Sequence, residues 1–291
     1  MIGFYNVLKP TGVSSTYVVS KVKRFAGEKR VGHLGTLDPA ASGTLPVAVG
    51  KATKFFDYFL NKDKVYFAVA EFGVETDTLD SEGKVQKIQD TQVSREKIEG
   101  VLSQFVGKIK QVPPVFSALK IDGKKAYELA REGKEVKLQE RTTQVYSICL
   151  IDEIAQNKYS FRVHCSAGTY IRTLLSDIAK ALEEIANVPV IIREKSGPFD
   201  IVSAVTLEDI QASPEGCLMS VEDALPHLRK ITFVSADEKK VLNGVAVSNS
   251  NYAVEKGQEF LGYIGAKLFG LFECLEYNIV CKINLYEGEG V

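Results

Sequence analysis

Apolar positions recur at helical spacing in three segments of this 291-residue chain and at alternate positions in two others. Ser14 or Ser15 can cap a helix whose Val18, Val19, Val22 and Phe25 share one face, with Gly27 as its stop. Residues 94–106 place Ile98, Val101, Leu102 and Phe105 on one side of a helix, and Ile171, Leu174, Leu175, Ile178 and Leu182 mark a longer apolar stripe. A short helix over 125–132, ended by Gly133, and another beginning at a Thr206 cap are also predicted. Tyr66 to Phe72 and Tyr159 to Cys165 alternate as half-buried strands do.

Beyond about residue 229 the pattern changes. Short apolar runs are separated by Asn243-Gly244, Lys256-Gly257 and glycines 262, 265 and 270, which predicts a small β-rich unit. Helices and strands mix irregularly before that point. The expected fold class is α+β, with a larger unit over 1–228 and a β-rich unit over 229–291.

Composition narrows the function classes. The chain is 45% hydrophobic and 25% charged, as a globular protein is, and no apolar run reaches the roughly 20 residues of a membrane span. The first residues show no basic stretch followed by an apolar core, so a cytoplasmic location is expected. Cys149, Cys165, Cys217, Cys274 and Cys281 form no C-x-x-C pair and are expected to be reduced. His33, His164 and His227 are too scattered for a metal cluster, so no metal is expected. Net charge is −1, yet residues 9–54 hold eight basic and two acidic side chains, and residues 108–141 hold nine and five. Two basic segments in a neutral protein fit a localised footprint for a polyanion, or else two solvated faces.

The segment Gly32-His33-Leu34-Gly35-Thr36-Leu37-Asp38-Pro39-Ala40-Ala41-Ser42-Gly43 concentrates the candidate chemistry. Three glycines, a proline and one carboxylate describe a tightly shaped loop in which Pro39 keeps Asp38 out of helical geometry. Taken alone, an Asp-Pro step in such a loop is more often a turn than a catalytic carboxylate.

That segment resembles the signature loop of the TruB family of bacterial tRNA pseudouridine synthases. Further matches follow in order: Lys9-Pro10-Thr11-Gly12-Val13-Ser14-Ser15, Gly50 to Lys54, Lys64-Val65-Tyr66, Phe72 to Asp80, Pro113 to Lys120, and Ser166-Ala167-Gly168-Thr169-Tyr170-Ile171-Arg172. The resemblance runs from about residue 4 to 200. Leu8, Ala167 and Ile192-Arg193-Glu194 depart from it, the last standing where relatives carry paired arginines. The region after 229 is loosely similar to the small RNA-binding PUA domain of relatives.

The resemblance implies a pseudouridine synthase fold with a mixed, largely antiparallel sheet, an insertion at about 105–140, and a PUA-like C-terminal unit. It implies that uridine 55 in the T-loop of tRNA is flipped out and isomerised, with Asp38 as nucleophile. Arg172 would pair with Asp38, in a bidentate way that orients it. Tyr66 would stack on the uracil and take the C5 proton, although a phenol titrates near 10 and needs help as a base. His33 would enter the RNA loop as the base leaves it. Lys9 and Pro10 would form the pocket floor, and Gly32, Gly35, Thr36, Leu37, Tyr170, Arg30 and Lys120 would meet the RNA. No cofactor, no obligatory protein partner and a monomer are expected. Two other readings stand beside this one: a tRNA-folding chaperone without required catalysis, and a synthase guided by an RNA in a larger particle.

Overall fold

A computed structural model describes residues 1–117, 119–121, 124–126, 129 and 138–286. The chain opens with β1 (Gly3–Lys9), α1 (Ser15–Phe25), β2 (Val31–His33), β3 (Ser42–Val49), α2 (Phe56–Leu60) and β4 (Lys64–Phe72). A hairpin of β5 (Val74–Thr76) and β6 (Val85–Ile88) precedes α3 (Arg95–Leu102) and β7 (Gly107–Gln111). Short strands β8 (Lys120–Ile121) and β9 (Lys124–Lys125) lead on to β10 (Arg141–Ala155) and β11 (Lys158–Cys165). The helix α4 (Ile171–Ala181) then returns the chain to β12 (Ala186–Ser196) and β13 (Phe199–Asp200). The helix expected over 125–132 lies largely outside the described residues.

The main sheet runs β1-β3-β12-β4-β11-β10-β7, with β2 added to β3 and β13 to β12. Only β12 and β3 are parallel, meeting at Ile192 against Ser42 and Arg193 against Gly43. Every other pair is antiparallel, which is the mixed sheet that was expected. The consequence for function lies at the centre, where Arg193 on β12 stands directly opposite Tyr66 on β4.

Amphipathic helices cover this sheet. Val18 and Val22 of α1, and Leu174, Leu175 and Ile178 of α4, join Ala68, Phe161 and Val163 in one core cluster. Each such valine, leucine, isoleucine or phenylalanine contributes about 1.5–3 kcal/mol by leaving water. Ser14 caps α1 by accepting from the Tyr17 amide at 3.1 Å, and Gly27, at φ +61°, ends the following turn.

The C-terminal region forms a second sheet of β14 (Arg229–Thr232), β15 (Val247–Ser248), β16 (Glu259–Ile264), β17 (Lys267–Leu275) and β18 (Asn278–Asn284), ordered β14-β16-β17-β18-β15. A helix, Ser235–Leu242, interrupts this β-rich unit. Its buried side chains are Val241 and Asp237, so it has no apolar stripe to read, and Asn243-Gly244 closes this helix instead of a hairpin. Phe4, Phe55, Phe59 and Phe199 share an apolar cluster with Leu261, Leu271 and Leu285, and Lys54 donates to the Asn284 carbonyl at 2.7 Å. The two sheets are thereby packed together. Among the described residues no helix is long and apolar enough to cross a membrane.

Candidate active site

The irregular loop is shorter than its glycines suggest. Gly32 and His33 are strand residues of β2, paired with Ala48 and Val47, so the loop proper spans 34–41. Leu34, Leu37 and Ala41 are buried and anchor it. Ser15, at the start of α1, accepts from the Leu37 amide and donates to the Leu37 carbonyl, both at 2.9 Å. Lys9 Nζ reaches the carbonyls of Pro10, Val13 and Pro39 at 2.7, 2.8 and 3.3 Å. From the sheet, Arg193 donates to the carbonyls of Gly35, Thr36 and Thr44 at 3.2, 3.1 and 2.9 Å. A loop held at so many carbonyls presents Asp38 in one position.

Asp38 meets Arg172 there. Arg172 Nη2 lies 2.6 Å from Asp38 Oδ2, and the arginine side chain is 4% exposed against 38% for the aspartate. The pairing is single and not bidentate, which corrects the expectation. The two terminal nitrogens are also engaged elsewhere: Nη1 reaches Thr78 O at 2.8 Å and Asp80 Oδ2 at 3.2 Å, and Nη2 also donates to Phe116 O at 3.1 Å. Asp80 is itself buried, and it accepts from Thr78 Oγ1 at 2.5 Å and from the Glu82 amide at 3.0 Å. The Asp80 carboxylate therefore fixes the guanidinium, and the guanidinium fixes Asp38.

Two cavities meet at this ion pair. One, of about 410 Å³, is lined by Tyr66, Lys64, Gly35, Tyr170, Ile191 and Arg193 together with Asp38 and Arg172. The other, of about 660 Å³, is lined by Ser14, Ser15, His33, Asp77, Asp80, Phe116 and the same Asp38 and Arg172. Thr36, Leu37 and Ser117 border both. The smaller cavity offers an aromatic face beside a carboxylate, which suits a single base. The larger one has room for adjoining nucleotides.

Positive charge gathers around and beneath the smaller cavity. Burial pushes the Lys9 ammonium down to about 8; Asp38 opposes that shift and the Arg193 charge adds to it. Lys64 falls to about 8 for the same leading reason, again with Arg193 contributing. Burial drives the Tyr66 phenol upward, while the adjacent Arg193 pulls it back by charge and hydrogen bonding. Among the described residues no carboxylate pairs with Arg193, Lys9 or Lys64, and no three metal-ligating side chains converge.

The other predicted residues divide. Gly35, Thr36, Leu37 and Tyr170 line a cavity, and His33 lines the larger one from a strand. Lys9 and Pro10 line neither cavity, so they are not the pocket floor: Lys9 lies wholly beneath the loop, and Pro10 is exposed. Gly32 and Arg30 also lie off both cavities, Arg30 on the exposed surface. The side chain of Lys120 is outside the described residues. Sequence reading missed the roles of Asp80, Ser15 and Arg193. All three sat inside motifs already singled out, but nothing in their spacing says that they converge on Asp38.

Comparison with known proteins decides the family. Residues 23–171 match the model of the TruB family pseudouridylate synthase N-terminal domain. A tRNA pseudouridine synthase B of Caldanaerobacter subterraneus subsp. tengcongensis is 43% identical, over 99% of this chain and 96% of that protein. Another, of Alkaliphilus oremlandii, is 40% identical over 93% and 92%. The chain belongs to the TruB family. It is an enzyme that isomerises uridine to pseudouridine in tRNA. Among solved structures, TruB-like architecture recurs in a Cbf5–Nop10–Gar1 complex, which is 27% identical with a TM-score of 0.72 over 98% of this chain and 84% of that one. An H/ACA RNP bound to a substrate RNA containing 2'-deoxyuridine gives 25% and 0.73 over 99% and 86%.

Proposed function

We propose that this TruB-family chain acts on uridine 55 of the tRNA T-loop, with Asp38 as nucleophile, Tyr66 as the C5 proton acceptor and Arg172 as the group that orients Asp38. The observation that carries this reading is the Arg172–Asp38 ion pair at the junction of the two cavities. The target uracil enters the smaller cavity against Tyr66, and its neighbours occupy the larger one. Arg172 holds Oδ2, which leaves Oδ1 to attack an electrophilic carbon of the nucleotide or to take a ribose proton. The glycosidic bond breaks, the base turns, and C5 joins the ribose. The C5 proton then passes to the Tyr66 oxygen as the phenol gives up its own, and N1, freed of the ribose, takes one proton, so the carboxylate and phenol end as they began. His33 braces the RNA loop from the wall of the larger cavity.

Residues 1–228 form the catalytic unit and 229–291 an RNA-binding unit of PUA type. The enzyme works in the cytoplasm as a monomer without an obligatory protein partner. What supports acting alone is that the relatives of 40% and 43% identity are named for the synthase with no partner, whereas the 27% identical solved structure is a complex with Nop10 and Gar1. The exposed basic side chains of α1 and the turn after it, Lys23, Arg24, Lys29 and Arg30, supply affinity for phosphates and not base choice.

The position is tested with a bare tRNA transcript whose uridines carry tritium at C5. One equivalent of tritium released per transcript, and none from a transcript with cytidine at position 55, is the expected result. Equal release from both transcripts would place the target elsewhere.

A further inference from the structure

Arg193 is 1% exposed, lies at the centre of the main sheet, and among the described residues has no carboxylate partner. Such a buried cation is costly to keep, and an arginine cannot shed its proton to escape the cost. Lys9 and Lys64 sit close enough for its charge to depress both. Stability alone would favour an apolar side chain here. What the guanidinium touches points to another use.

Its three donors go to Gly35, Thr36 and Thr44, so it grips the chain two and three residues before Asp38 and six after it. The strand pairing sets the same residue opposite Tyr66, and both border the smaller cavity. Gly43, between the gripped positions, has φ +108°, and a Cβ there would lie 2.3 Å from the Arg193 carbonyl. Backbone and side chain of Arg193 thus both bear on the loop.

We propose that Arg193 is a positioning residue that sets the separation between the nucleophile Asp38 and the proton acceptor Tyr66 by gripping the nucleophile's loop with its guanidinium from a strand position directly opposite Tyr66. This rests on the Asp38 and Tyr66 roles proposed above. The planar fork matters: three divergent carbonyls need donors in fixed directions, which a lysine ammonium on a flexible stem does not supply. Misplacement of about 1 Å at a reacting centre costs roughly 100-fold in rate.

The test compares wild type, Arg193→Lys, Tyr66→Phe and the double variant in single-turnover tritium release at saturating tRNA, with tRNA affinity measured by filter binding. For Arg193→Lys the rate falls at least about 30-fold while affinity stays within about threefold. In the Tyr66→Phe background the same substitution costs clearly less than in wild type, because the separation from the phenol no longer counts and only the placement of Asp38 is left to lose. A rate within threefold of wild type, a loss carried by affinity, or an equal loss in both backgrounds would overturn the proposal. Should Tyr66→Phe fall below detection, the split between rate and affinity in Arg193→Lys decides alone. Should Arg193→Lys fail to fold, Arg193→Gln, which keeps a planar donor, is read in the same way. Full activity of Tyr66→Phe would instead refute the Tyr66 role, a distinct outcome.

Discussion

Arg172 Nη2 stands 2.6 Å from Asp38 Oδ2, and Arg172 is held there from behind by Asp80, whose Oδ2 is 3.2 Å from Nη1. The half-exposed nucleophile therefore leans on a buried arginine, which leans on a buried acid. Removing any one member has a different consequence.

Arg172→Met leaves Asp80 buried and unpaired, at a cost of about 3 kcal/mol. The melting temperature is expected to drop by roughly 6 °C or more in a thermal scan, with activity abolished. An unchanged melting temperature would show that Asp80 finds another partner.

Asp80→Asn keeps shape and hydrogen-bonding capacity but removes one charge from the guanidinium. Single-turnover rate is expected to fall about tenfold to 100-fold, with tRNA affinity within about threefold. A loss confined to affinity would move Asp80 from orientation to RNA contact, since it lines the larger cavity.

How much of this was legible in the chain can be read from particular residues. The strand carrying Tyr66 and the helix beginning at Ile171 were legible from their apolar residues, although both are more buried than one-faced elements: Ala68, Val69 and Ala70 are buried in succession, and Arg172, Thr173 and Ser176 are buried beside Leu174 and Leu175. The Asp38 loop announced itself through glycine and proline, although its first residues are strand. Arg193 was invisible as a site residue: it sits inward on a central strand, where charge is unexpected, and its partners are carbonyls from 149 to 158 positions away. Arg162 and Glu194 show what the departure at 192–194 does on the surface. They form a two-pronged pair at 2.9 and 3.1 Å, so Glu194 serves the sheet.

The buried lysines make stability depend on pH. Burial lowers Lys64 from 10.5 to about 8, so between these values the unfolded chain binds more protons than the folded one. Stability from this group therefore rises with pH from about 8 to about 10.5, by on the order of 2–3 kcal/mol in total. Lys9 acts with the same sign over the same window. Denaturant unfolding at pH 7.5 and 9.5 checks it: the increase should be smaller in Lys64→Met than in wild type. Equal increases would mean that the ammonium is not desolvated.

Gly43→Ala is expected to destabilise strongly. A Cβ at φ +108° would meet the Arg193 carbonyl at 2.3 Å and the Arg193 amide at 2.7 Å, backbone atoms that cannot swing away. The parallel junction of β3 and β12 would open, and the loop would lose its seat. Loss of several kcal/mol of unfolding free energy, together with loss of activity, is the expected result. Near-normal stability would mean that the junction shifts freely.

Asp38→Asn is the most direct test of the central claim. The variant keeps size and leaves an amide oxygen for Arg172 Nη2, so fold and RNA surface should persist. Tritium release from a T-arm stem-loop labelled at uridine C5 is measured beside filter binding of the same RNA. Release that vanishes in the variant, while affinity stays within about threefold of wild type, is the predicted result. Release at an appreciable fraction of the wild-type rate would contradict the account, because it would leave the reaction without Asp38 as its nucleophile.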